Sequence, residues 1–125
     1  MDIGELLKNI DPLRLLAEYD EEDQSYVVYC VDTGAVATGN SPAEAQALIK
    51  RILENDIRIA FETNSLESLF HSNASPEVKI RWIEAKTANP NKVQTITLDV
   101  PDATQKRGVQ SELRVGKTRH SSSAA

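Results

Sequence analysis

Four residues, Ser41-Pro42-Ala43-Glu44, constrain this 125-residue chain more than any others. A serine hydroxyl caps the backbone amide three residues on, proline suits the first helical position, and glutamate at the third completes a capping box. Behind this opening Ala45, Leu48, Ile49, Ile52, Leu53, Ile57 and Ala60 line one broad helical stripe. A helix over 42 to about 62 is therefore predicted, with an apolar face that must be covered. Glu54 and Arg58, four apart in the favourable orientation, are expected to pair on its wetter side.

What precedes the helix reads as three strands. Residues 13–19 (LRLLAEY) put Leu13, Leu15, Ala17 and Tyr19 on one side. The acidic run Asp20 to Asp23 suits an exposed hairpin connection. Residues 26–31 (YVVYCV) are β-branched and aromatic without polar alternation, as in a central strand that is apolar on both faces. Asp32-Thr33-Gly34 reads as a turn, and 35–38 as a short third strand. The chain is thus expected to be built on a strand–strand–strand–helix unit over about 13–63.

Residues 64–70 read as a short helical turn at best, and 71–75 as a polar break. Ser75-Pro76-Glu77 repeats the cap-plus-proline opening. Its continuation mixes strand-like alternation with a helical period, and the cap and length favour a helix. Residues 93–100 (VQTITLDV) alternate as a last strand that Pro101 should stop. From 102 onward no apolar periodicity survives and the composition is basic, serine-rich at its end and short of core residues, so 101–125 is expected to be a mostly disordered tail. At the other end Ile3, Leu6, Leu7 and Ile10 share one helical face that Asp11-Pro12 terminates; so short a helix must pack on its own domain or on a partner.

Length and a 40% apolar content fit one domain, here residues 1–100. No apolar run approaches the ~20 residues of a membrane span, and the N-terminus lacks the pattern of a signal peptide. Cys30 is the sole cysteine, so no internal disulfide is available and a cytoplasmic setting is expected. Residues 1–100 hold 9 Lys/Arg against 17 Asp/Glu, a net of −8, and 101–125 hold 5 against 2, a net of +3. An acidic body repels phosphate backbones and suits a basic protein partner.

Chemical motifs are sparse. The Glu18, Asp20, Glu21, Glu22, Asp23 cluster lacks the spaced ligands and glycine of a calcium loop and reads as a solvated hairpin tip. Cys30, in the most apolar strand, reads as a buried structural residue. His71 and His120 show no tie to it, and the three make no zinc pattern. There is no phosphate-cradling glycine loop and no nucleophile elbow. Trp82 is a candidate interface anchor, with a core position the favoured reading.

The segment from Leu13 to Leu53 resembles the HicB-like antitoxin domain. A first strand leads through a polar hairpin to Tyr26, Val28 and Cys30, spaced as in the family's Y-x-V-x-[FC] motif. Gly34 follows, and Gly39-Asn40-Ser41-Pro42-Ala43-Glu44-Ala45 matches its G-[DN]-[ST]-x-x-E-A helix opening. The turn at Val31–Ala35 is shorter than the family's, and the 25 residues after Val100 show no helical pattern for the DNA-binding domain that family members usually append. The resemblance implies an α+β fold, with a three- to four-stranded, mostly antiparallel, truncated ribonuclease-H-like sheet packed on one main helix. It also implies a module that neutralises a small basic messenger-RNA-cleaving toxin.

The expectation is thus a non-catalytic, cofactor-free protein-binding module without direct DNA binding. Its partner would be met at Glu18, Asp20, Glu21, Glu22, Asp23 and Trp82. A homodimer or higher homo-oligomer is expected, with Ile3, Leu6 and Leu7 as possible contacts. The alternatives are a homo-oligomeric structural domain, or a metal-dependent nuclease using carboxylates such as Glu18 and Asp32.

Overall fold

The computed structural model describes residues 12–71, 74–102 and 105–119 and has an α+β fold. Strands β1 (Leu13–Asp20), β2 (Ser25–Cys30) and β3 (Val36–Gly39) are followed by helices α1 (Pro42–Glu62), α2 (Leu66–His71) and α3 (Pro76–Ala88). Strands β4 (Gln94–Asp102) and β5 (Gln105–Val115) complete one mixed sheet of order β3-β2-β1-β5-β4. The first three strands form an antiparallel meander, β5 runs parallel to β1, and β4 pairs antiparallel with β5 at the far edge.

The capping box forms only in part. Ser41 Oγ accepts from the Glu44 amide at 3.1 Å, with Pro42 in the first helical position. Gly39 lets the new helix approach, since a Cβ there would lie 2.7 Å from the Ala45 backbone nitrogen. The helix then lays Ala45, Ile49, Leu53 and Ile57 across one face of the sheet, onto Leu13, Leu15, Val28, Leu98, Val109 and Leu113. Helix α3 covers the opposite face with Val78, Trp82 and Ala85 against Leu16 and Val31. Strand β1 feeds both cores because its side chains alternate: Leu13 and Leu15 go one way, Leu16 and Glu18 the other.

Several expectations change. The sheet has five strands rather than three or four, and it carries a helix on each face. The stretch expected to be a disordered tail supplies β5, an interior strand. Its period of two is real: Val109, Ser111 and Leu113 are buried, while Gly108 and Gln110 are exposed. Ser111 holds a core position because its hydroxyl donates to the Ile96 carbonyl at 2.6 Å, which removes the cost of burying it.

Pro101 does not stop β4, which runs on to Asp102. The Asp99 amide donates to Glu54 Oε2 at 2.7 Å, so it faces away from β5. Pro101, two residues on, shares that outer edge, where no ladder bond is lost. Glu54 is thereby drawn from Arg58, which pairs instead with Glu62 at 3.5 Å. Ile3, Leu6, Leu7 and Ile10 lie outside the described residues. No helix among the described residues is long and apolar enough to cross a membrane.

Candidate functional site

Where β1 and β5 end, the chain leaves a cleft of about 730 Å³. Its floor is made of Ala17, Val28 and Val115 from the sheet and Ala45 from α1. Small side chains at Ala17 and Ala45 leave the space open. Tyr19 and Tyr26, opposite each other in the β1–β2 register, form one wall, their rings 4.9 Å apart at 54°. The other wall is pinned by Asn89 at the end of α3, whose Nδ2 donates to the Val115 carbonyl at 2.9 Å. Lys92 and Lys117 line the cleft and are exposed; among the described residues neither forms an ion pair.

Glu18 stands in the wall between this cleft and a smaller cavity of about 140 Å³ on the α3 face. Its side chain is 2% exposed, and Oε2 accepts from Arg81 Nε at 2.8 Å. Oε1 has no hydrogen-bond partner among the described residues. Gly116 makes room for the carboxylate, since a Cβ there would lie 3.1 Å from it. Arg81 also lies over the Tyr29 ring at 5.5 Å, and the Tyr29 hydroxyl accepts from Arg119 Nη1 at 3.2 Å. That bond is the main reason the Arg119 guanidinium is held above its ordinary pKa.

The β1–β2 turn beside the cleft is a fixed structure. Asp20 Oδ1 accepts from the Glu22 amide at 3.0 Å and the Asp23 amide at 3.3 Å, and Gln24 closes the turn at φ 50°. The backbone between Tyr19 and Glu21 is bonded on both sides to Arg119: its amide donates to the Tyr19 carbonyl, and the Glu21 amide donates to its carbonyl. Glu21, Glu22 and Asp23 are exposed at the tip.

The residues singled out from sequence therefore divide. Asp20 to Asp23 form one surface feature, with Asp20 as its organiser. Glu18 points to the α3 face and is buried, and Trp82 is a core residue under α3 with the Arg114 guanidinium 3.8 Å above its ring; neither presents itself to a partner. Glu18 and Asp32 are not a cation pair. The Asp32 carboxylate accepts from the Arg14 backbone amide at 2.8 Å, and Arg14 lies four residues from Glu18 along β1, on the order of 13 Å away. No group of three metal-ligating side chains occurs among the described residues.

Cys30 is fully buried, and burial pushes its thiol above the ordinary value, away from thiolate chemistry. The cleft's Tyr19, Tyr26, Lys92 and Lys117 were not anticipated. The two tyrosines flank the hairpin in sequence; Lys117 meets them only through the course of β5, and Lys92 through the turn between α3 and β4. No protein-family model, curated protein or solved structure matches the chain.

Proposed function

We propose that this chain is a non-catalytic binding module of the HicB-like kind, which engages a small basic protein, such as a toxin, through the acidic β1–β2 turn. One observation carries the reading: the turn's carboxylates are held in a fixed loop by Asp20 and exposed at the sheet's end. A pre-ordered charged loop loses less conformational entropy on binding than a flexible one. It also steers a cationic partner to one place on an acidic body. The antiparallel meander leads through Gly39 and the Ser41 cap into α1, which is the order of elements this reading calls for.

The test is affinity capture from the source organism, with the full chain beside a Glu21→Lys/Glu22→Lys/Asp23→Lys variant. A small cationic protein retained by the first and lost from the second is expected, with retention falling as salt rises. Equal capture by both would refute the turn as the contact.

A further inference from the structure

We propose that the cleft between the start of α1 and the ends of β1 and β5 binds a small organic anion with a planar apolar body. This site is separate from the acidic turn and does not depend on the protein-binding reading. At about 730 Å³ the cleft falls in the size class of small-molecule sites, and it sets an apolar floor beneath a polar rim that includes Gln46, Asn89, Gln94 and Thr118 beside the two lysines. Ala17, Val28, Ala45 and Val115 offer the floor, and the Tyr19 and Tyr26 rings, tilted 54° to each other, offer an aromatic wall suited to offset or edge contact with a planar body.

Charge selects the head group. The one carboxylate in the lining, Glu18, already has Arg81 as its counter-ion, whereas Lys92 and Lys117 have no ion pair among the described residues. The cleft is therefore a cationic spot on a body that is otherwise acidic, and a cationic ligand would meet two ammonium groups there. Carboxylate and phosphate share the chemistry that two lysines recognise, as point charges rather than bidentate forks.

The experiment uses the full chain, isotope-labelled, titrated with 2-naphthoate, 2-naphthyl phosphate and the neutral 2-naphthalenemethanol, with amide shifts read by NMR. Saturable shifts confined to Ala17, Tyr26, Val115, Gly116, Lys117 and their neighbours are expected for at least one anion, and whichever anion binds more tightly identifies the head group. The alcohol should bind about 10-fold more weakly, and a Lys92→Gln/Lys117→Gln variant should lose about 10-fold in affinity for the anion, the effect of ~1.4 kcal/mol. Both lysines are exposed, so the variant should keep its spectrum away from the cleft. The proposal is overturned by no saturation at about 10 mM anion, near the weak end of measurable affinity. Shifts centred elsewhere, an alcohol that binds as well as the anions, or a variant that binds unchanged would overturn it equally.

Discussion

The two faces of the sheet are stabilised by different means. Under α1 the contact is broad and apolar, from Leu13 and Leu15 in β1 to Leu98 in β4, with Ile49, Leu53 and Ile57 pressed onto it. Under α3 the apolar patch is small, and ion pairs surround it: Arg14–Asp32 at 2.8 Å, Glu18–Arg81 at 2.8 Å and Glu112–Arg114 at 2.7 Å. Arg114 adds a stacking contact on Trp82 and donates to its carbonyl at 3.1 Å. The first face gains stability from area, which is non-directional. The second gains orientation: charged contacts fix where α3 sits, and with it Asn89 and the wall of the cleft.

Truncating the first face should give the largest loss. Leu53→Ala removes a fully buried side chain from the middle of α1 and should cost roughly 2–5 kcal/mol, read as a fall in the urea midpoint at unchanged slope. A loss below about 1 kcal/mol would mean that the site collapses and that the α1 face is less closely packed than its burial implies.

On the second face, Arg81→Met leaves the Glu18 carboxylate buried without its counter-ion. The expected cost is about 2–3 kcal/mol, below the fully buried limit because Arg81 itself reaches solvent. Adding Glu18→Leu should restore most of it, since two apolar side chains replace a pair that had to be desolvated. A double variant as unstable as Arg81→Met alone would show that the pair positions α3 rather than balancing a buried charge, and thermal denaturation of the three proteins separates the outcomes.

A smaller effect tests the helix that the first face depends on. Ser41→Ala deletes the bond to the Glu44 amide and should cost about 1 kcal/mol. Ser75→Ala should cost less, because Ser75 makes no side-chain cap bond at the start of α3.

That contrast between the two serines bears on what the sequence could show. Both were followed by proline and an acidic residue, and both helices formed, yet only Ser41 caps. The pattern specifies a helix start, while the rotamer depends on neighbours that only the fold provides. The meander and α1 were legible because each has its own periodicity and punctuation. Strand β5 was not, because its inward row reads Val109, Ser111, Leu113 and the serine is satisfied only by the Ile96 carbonyl of β4. Missing β5 also hid the cleft, since Val115, Gly116 and Lys117 reach it only as the continuation of that strand. Glu18 lies beside the acidic run in sequence, yet the alternation of β1 turns it to the α3 face, where Arg81 meets it.

The smallest effect falls on Asp56, at the flank of α1. The buried carboxylate on the α3 face has an arginine, whereas burial alone acts on Asp56 and raises its pKa above the ordinary carboxylate value. A raised pKa means that folding favours the protonated form. The stabilisation this gives is complete at pH below the unfolded-state value and fades as pH rises through the folded-state one, leaving the ionised group a net cost at neutral pH. Asp56→Asn should therefore be slightly more stable than the parent at pH 7, and the difference should shrink to nothing as the pH falls below the ordinary aspartate range. Denaturant titrations at pH 7 and pH 3 check the sign. If the variant is less stable than the parent at pH 7, Asp56 has a stabilising partner, and the α1 face is not purely a matter of area.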